Sequence, residues 1–600
     1  MKLVYSLLGL AVSVLALTTS VVTAQGTRPD ELEESTAAVK KGVITGRVIN
    51  ESGQPLPDAQ VTVRAYGSGE YPHNTSTDRD GNFRVSGLRP VLYYATASLP
   101  AYAAAPRDPD NTQATSYRIG DTITLVMFKG GVITGSVKSI TGEPVVGVQV
   151  RAQMIRDGSG QRSRYGATTR ERLTDDRGIY RIYGLPTGTY LVFAGGPGYL
   201  GANGAYENDA PTYSPSSLRG NAAEISVRAG EETRDVDIRY RSEVGHTIRG
   251  TAAAHNASNT PEAWVILTST LDGGSQLGDS VYQPLGFEGF SFSGLADGSY
   301  DLTAESFHAN GEIMISEPKR VNVRGTDISD VELITKPLAN ISGRVVLEES
   351  KAAECKGKKR TLLTEILVSA WHNEKEAAQD QPQFVWGLGG PSFPNLQGDV
   401  ALRNLAAGQY QIIARQFAKY WYLDSITLPA AAATRPTKPG EPNRPQDAVS
   451  NWTNLKAGDR LSGLIVKVAG GAASLRGQIT TAEDATLPGR SYVYLVPAER
   501  EKSQDVLRFL SAPVSPDKTI ALHNIPPGRY FIIVQPALDE VRPTLTKLRL
   551  PNETETRARL RREAEAAKTE IEFKPCQNVT DYQLPFPPVE TANRSPQREK

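Results

Sequence analysis

The chain has 600 residues, with 66 Lys plus Arg balanced by 66 Asp plus Glu, so its formal net charge at pH 7 is zero. That length exceeds what one hydrophobic core organises, and about four or five domains are expected. Balanced charge excludes bulk attraction to nucleic acid or to an anionic membrane, and 54 Gly, 39 Pro and only 4 Met suit short strands and turns better than a helical bundle.

The N-terminus, MKLVYSLLGLAVSVLALTTSVVTAQG, sets Lys2 before a short apolar run and ends in Val22-Thr23-Ala24 ahead of Gln25. This is the pattern of a signal peptide cleaved after residue 24, and it predicts an extracytoplasmic protein: secreted, periplasmic or at the cell surface. No later stretch is long and apolar enough to span a bilayer, so no transmembrane segment is expected after cleavage. Residues 25–40 read as a linker.

From residue 41 onward three phrases recur in one order. An opening phrase, VITGRV at Val43, returns as VITGSV at Val132, TIRGTA at Thr247, NISGRV at Asn340 and SLRGQI at Ser474. Its glycines, Gly46, Gly135, Gly250, Gly343 and Gly477, lie inside alternating strand patterns. There they signal a bulge or a close backbone approach. A second phrase, GLPTGTY at Gly184, returns as GLADGSY at Gly294, NLAAGQY at Asn404 and NIPPGRY at Asn524, with a worn copy, GLRPVLY, at Gly87. Each ends on a tyrosine that begins a β-prone run, and reads as a turn followed by a strand. An identical position in five diverged units favours a structural tyrosine, with its hydroxyl on a backbone carbonyl, over five ligand sites.

The closing phrase sets two apolar residues six and eight positions after a Gly: Val126 and Phe128 after Gly120, Val236 and Ile238 after Gly230, Val331 and Leu333 after Gly325, Leu464 and Val466 after Gly458. In the fifth unit Tyr582 and Leu584 follow Cys576, which stands where Gly would be. The opening glycines are 89, 115, 93 and 134 residues apart, so insertions fall between fixed strands. The expected fold is all-β, a tandem array of about five Ig-like or transthyretin-like β-sandwiches: 41–129, 130–243, 244–337, 338–470 with a Pro/Ala-rich loop at 429–450, and 471–586. The segment NETETRARLRREAEAAK predicts a helix at 552–569 inserted in the last sandwich, its basic residues Arg557 to Arg562 forming a solvated face. Residues 587–600 read as a disordered tail.

Units one and two, GVITGRVINESGQPLPDAQVTVRA…STDRDGNFRVSGLRP and GVITGSVKSITGEPVVGVQVRA…LTDDRGIYRIYGLPTGTY, resemble the carboxypeptidase regulatory-like domain. The resemblance implies a seven-stranded transthyretin-like sandwich, classed with carbohydrate-binding-like folds, and tandem accessory modules of exported bacterial proteins. The later units keep the opening and closing phrases but lose the Gly-x-Pro and Asp-Gly steps.

No catalytic constellation accompanies these modules, and a non-enzymatic protein without cofactor or metal is expected. The six histidines are scattered, no His-x-x-Glu or Gly-x-Ser-x-Gly occurs, and His372 with Glu374 lacks a second His nearby. Asp78-Arg79-Asp80-Gly81-Asn82 reads as a hairpin turn rather than a calcium loop. The densest aromatic cluster is Tyr420-Trp421-Tyr422, where alternation puts Tyr420 and Tyr422 on one face and Trp421 on the other. It is the candidate ligand platform, with core or interface packing as the competing reading. Tyr213 and the aromatics around Tyr282 are expected to add exposed rings in an extended array. Cys355 and Cys576 allow one disulfide in an oxidising compartment, although nothing in the sequence brings them together. The reading is an exported binding array for polysaccharide or a cell-surface protein, with a structural spacer or an accessory subunit of a surface complex as the alternative.

Overall fold

A computed structural model describes residues 41–66, 71–104, 116–158, 160, 169–197, 205–254, 262–270, 276–284, 289–308, 312–373, 390–429, 445–481, 487, 491–515, 517–536 and 554–586. The segments expected to be signal peptide and tail, and most of the Pro/Ala-rich loop, lie outside them. Alternating burial along the opening strands (Ile44 and Val48 inward, Arg47 outward) makes each strand one wall of a sandwich. In the first unit one sheet orders Asn82–Leu88, Gly42–Asn50, Thr122–Lys129 and Tyr102–Ala104; the other orders His73–Ser76, Gln60–Ala65 and Tyr93–Ser98. The same plan recurs four more times. In every unit the opening strand pairs antiparallel with the strand leading into the tyrosine phrase and parallel with the closing strand. Five separate apolar cores result. In the third unit the strand Ile313–Ser316 bridges both sheets into one eight-stranded sheet.

The phrase tyrosines are corner residues. All five are buried, and each hydroxyl donates to the carbonyl four residues upstream: Tyr93 to Arg89 (3.1 Å), Tyr190 to Pro186 (2.8 Å), Tyr300 to Ala296 (2.7 Å), Tyr410 to Ala406 (3.0 Å) and Tyr530 to Pro526 (2.9 Å). The ring fills the core while the bond ties down the turn that admits it. Burial pushes the Tyr410 hydroxyl up to about 12 and raises those of Tyr190 and Tyr530 as well.

The opening glycines mark a close approach. A Cβ there would stand 2.4, 2.1, 2.0, 1.9 and 2.2 Å from the carbonyl oxygens of Ile123, Val236, Val331, Leu464 and Tyr582 on the closing strands. In the last four units that carbonyl follows a residue in the left-handed region: Asp235, Asp330, Gly463 and Asp581. In the third to fifth units this kink goes with a one-residue shift in the register of the parallel pair. The first unit lacks it, and its pairing runs unbroken from Thr45 with Thr122 to Asn50 with Met127. Its inward residues are therefore Ile123 and Met127, not Val126 and Phe128, which are only half-buried. Cys576 does take the left-handed conformation of the glycines it replaces, with φ 57°.

The signature steps of the first two units are turns. The carboxylate of Asp78 accepts the N–H groups of Asp80 and Asn82, and that of Asp175 those of Arg177 and Ile179. Buried Thr77 and Thr174, one residue earlier, each bond a neighbouring carbonyl and N–H, in Leu56 and Ala59 and in Val145 and Val148.

The inserted helix spans Thr554–Ala567; residues 552 and 553 of the expected span lie outside the described residues. Leu560 and Ala564 pack on Tyr494, Val496 and Ile533 across the outer face of the last sandwich. The basic cluster is not wholly solvated: Arg557 is buried, and Arg561 donates to the carbonyls of Pro497 and Ala498. The expected exposed aromatics also turn inward. Tyr213 lies 4.8 Å from Phe193 in a buried cluster because Thr212–Tyr213 pairs with Phe193 and Ala194, and Phe290 and Phe292 join the third core. The Tyr282 side chain lies outside the description. The sandwiches are not purely serial either, because the first touches the fourth. The Thr364 hydroxyl donates to Pro90 O at 2.7 Å, and Arg118 stands 3.7 Å from Glu365.

Two outcomes follow from these contacts. Gly343→Ala forces its Cβ against Leu464 O, and should destabilise the fourth sandwich by about 3 kcal/mol or more, measured by urea unfolding; a loss near zero would deny the close approach. Glu305, buried on the strand Gly298–Phe307, has its carboxyl pushed up to about 8 by desolvation, against an ordinary value of 4.5. A raised folded value means that the stability it confers is full below about 4.5 and is lost as pH rises toward 8. Glu305→Gln should flatten that slope in thermal melts and make the variant the more stable form at pH 8; an unchanged slope would contradict it.

Candidate functional site

Three neighbouring strands of the fourth sandwich, Ala339–Glu348, Arg460–Gly470 and Trp421–Leu428, present one face outward. Period-two alternation sends Val345, Leu464 and Val466 inward and leaves Glu348 and Lys467 facing out. On the third strand a bulge at Asp424 shifts the inward positions from Trp421 and Leu423 to Ile426, which leaves Tyr422 facing out. In register, Glu348 opposes Ala469 and Ala469 opposes Tyr422, so the carboxylate and the ring flank one small residue. A shallow polar cleft follows, lined by Glu348, Ser350, Lys351, Tyr422, Asp424 and Lys467.

Charge in the cleft is mutually compensated. The Lys467 ammonium lies 2.5 Å from the Glu348 carboxylate and 3.5 Å from Asp424. Its hydrogen bond to Glu348, with Asp424 adding charge, raises the Lys467 value; the same bond lowers that of Glu348. Tyr422 is half-buried, and desolvation, reinforced by the Asp424 carboxylate, raises its hydroxyl. Both partners of the ion pair remain exposed, so the pair organises the face more than it stabilises the fold. The arrangement offers carboxylate acceptors, an ammonium donor and a half-buried aromatic ring to a polar ligand.

The rim is the loop after Glu348. Arg360 pairs with Glu349 at 3.4 Å, and the loop's far end is held by the Trp421 indole, which donates to Lys359 O at 3.1 Å. The Lys358 ammonium lies 4.7 Å from the Tyr420 ring centre. Cys355, in this loop, is bonded to Cys576 of the fifth sandwich, with Cα atoms 5.4 Å apart. The Cys576 N–H donates to Gly471 O, directly beyond the cleft residue Gly470.

The three residues of the aromatic cluster therefore do not share a platform. Trp421 is buried in the fourth core, and its face is unavailable for stacking on a ligand. Tyr420 precedes the strand in the left-handed region, φ 66°, which breaks the alternation that would have paired it with Tyr422. Its carbonyl accepts the N–H groups of Gly471 and Ala472, and its hydroxyl accepts from Asn578, so it belongs to the contact with the fifth sandwich. Only Tyr422 lines the cleft. Glu348, Asp424 and Lys467 carried no sequence signal, since it is strand register alone that brings residues 348, 424 and 467 together.

The described histidines are dispersed. His372 packs 4.8 Å from Tyr410, His246 lies 3.4 Å from Asp297, and His255 and Glu374 fall outside the described residues. Among the described residues no group of three or more His, Cys, Asp and Glu is placed to hold a metal ion, and no helix is long and apolar enough to cross a membrane.

Among solved structures, the chain resembles the Bacillus anthracis TIE protein at 14% identity, over 50% of each chain, with a TM-score of 0.14. It thus spans half the length of that protein. The major pilin subunit of Bacillus cereus is similar at 10% identity over 49% of this chain and 99% of that one, TM-score 0.14. A minor pilin of Streptococcus agalactiae is similar at 12% identity over 34% and 96%, TM-score 0.18. No curated protein matches the chain significantly. The family profile of the carboxypeptidase regulatory-like domain matches residues 43–125 and again 132–240. The chain thus carries the carboxypeptidase regulatory-like domain twice in tandem, at its first two sandwiches.

Proposed function

We propose that this protein is a non-catalytic binding array that works outside the cytoplasm, after removal of residues 1–24, and engages polysaccharide through the outward face of its fourth sandwich. The observation that carries this reading is the Tyr422 ring beside the Glu348–Lys467–Asp424 cluster. Sugar hydroxyls need paired acceptors and donors, and a pyranose face needs a partly exposed ring. The bonded pair Cys355–Cys576 supports an oxidising compartment. Balanced net charge argues against nucleic acid as the ligand.

A second reading is a structural spacer or an accessory subunit of a surface complex. It is favoured by the covalent and hydrogen-bonded coupling of the fourth sandwich to the fifth, through Cys355–Cys576 and Tyr420–Asn578. Such coupling serves a spacer whether or not a sugar binds.

Residues 25–600 should be retained on at least one of a panel of insoluble polysaccharides. Tyr422→Ala and Lys467→Met should each lower retention about tenfold or more, the size expected when a ring or a paired charge is lost from a contact, with melting temperature preserved. No retention of the unaltered protein on any member of the panel would sink the polysaccharide reading and leave the spacer, to be pursued by co-purification of a stoichiometric surface protein.

A further inference from the structure

The tyrosine at the end of the repeated phrase explains its last position, but not its first. Position one is Gly184, Gly294, Asn404 or Asn524, and all four take the left-handed conformation, with φ 73°, 73°, 58° and 61°. Glycine and asparagine are the residues that tolerate it. A turn alone would accept either residue at any copy, yet each copy matches what the preceding sandwich offers.

In the second unit a Cβ on Gly184 would stand 3.4 Å from Tyr102 O of the first. In the third, a Cβ on Gly294 would stand 2.0 Å from Glu207 O of the second, so only glycine fits. In the fourth, Asn404 Oδ1 accepts the N–H of Ile313 in the third at 3.0 Å. In the fifth, Asn524 Nδ2 lies 3.4 Å from Gln416 O and 3.3 Å from Ala418 O of the fourth. These partners lie in the connection that follows the phrase-tyrosine strand of the preceding sandwich (Glu207 and Ala418) or on the strand residues that border it (Tyr102, Ile313 and Gln416).

A second strut repeats beside the first. Gly130, Gly245 and Ala472, each five residues before an opening glycine, donate N–H groups to Ala101 O, Asn208 O and Tyr420 O of the same connection. Ala101 and Tyr420 are both left-handed, at φ 66°, which turns those carbonyls toward the linker. Where the linker residue is Gly130 or Gly245 it packs directly on Gly184 or Gly294: a Cβ would approach within 2.5 and 2.4 Å. Where Leu338 or Ala472 stands instead, the phrase begins with Asn. The worn copy is the internal control. At Gly87, also left-handed, nothing among the described residues lies within 4 Å of the Cβ position.

We propose that the phrase is also a docking surface whose partner is the preceding sandwich of the same chain, with its first residue as the pin that fixes the angle between successive sandwiches. The aromatic Tyr420 belongs to this joint rather than to a ligand site. The candidate cleft lies beside the last such joint, so fixing that angle also fixes the rim of the cleft.

The test separates the pin from the turn. Asn404→Gly keeps a residue at ease in the left-handed region and removes the bond to Ile313. In the full chain, amide exchange at Ile313 should rise about fivefold, the factor for losing a bond of ordinary net strength, while the strand Gly408–Gln416 exchanges at its usual rate. Spin labels at Thr326→Cys and Gln397→Cys should show a broader distance distribution between the third and fourth sandwiches. Separately, Gly294→Ala and Gly87→Ala impose the same backbone strain, but only the first meets a neighbour; its fall in melting temperature should be at least twice as large. Unchanged Ile313 exchange with an unchanged label distance, or equal falls at Gly294 and Gly87, would overturn the proposal.

Discussion

A phenol hydroxyl bonded to a carbonyl four residues upstream is the constraint on which the rest of this molecule is built. It occurs five times, at Tyr93, Tyr190, Tyr300, Tyr410 and Tyr530. Each ring plugs the end of a core while the bond holds the turn that leads from one sheet to the other, so one residue couples packing to chain reversal. The opening glycine completes the frame from the other side, letting the closing strand's carbonyl approach where a methyl group would not fit. With core, turn and strand contact fixed, the connections elsewhere are free to vary in length, and they do.

Much of this frame was legible because it is local. Turn residues, an alternating strand and a tyrosine at constant spacing are all written within one short segment, and the glycine inside each opening strand marks a bulge or close approach, though not the closing strand as its partner. What failed was alternation carried past a break. Tyr420 was grouped with Tyr422 by period two, but a left-handed residue at 420 puts it before the strand and turns it to the next sandwich. The first closing strand lacks the kink of the other four, which moves its inward residues to Ile123 and Met127. The cleft residues Glu348, Asp424 and Lys467 meet through the register of three strands spread over more than a hundred residues, and no sequence spacing records that.

The fourth sandwich concentrates the features on which function would depend. Its outer face carries the ion-paired cleft, its loop carries Cys355, and its last connection carries the joint to the fifth sandwich. It is also the sandwich that the first one touches, through Thr364 and Glu365. A ligand in the cleft would therefore meet a surface held on several sides. That suits the low entropy cost of a preformed polar site, and it suits a spacer that keeps its geometry.

The most direct test of the five corners is a rapid jump to pH about 11, above the ordinary phenol value, following phenolate absorbance and far-ultraviolet circular dichroism together. The protein has 24 tyrosines; the exposed ones ionise within mixing. The account predicts a slow phase, concurrent with loss of strand signal, whose amplitude corresponds to no fewer than five tyrosines and falls by one in Tyr410→Phe. Complete ionisation within mixing while the strand signal persists would contradict it, because corner hydroxyls held in the core cannot ionise before the sandwiches open.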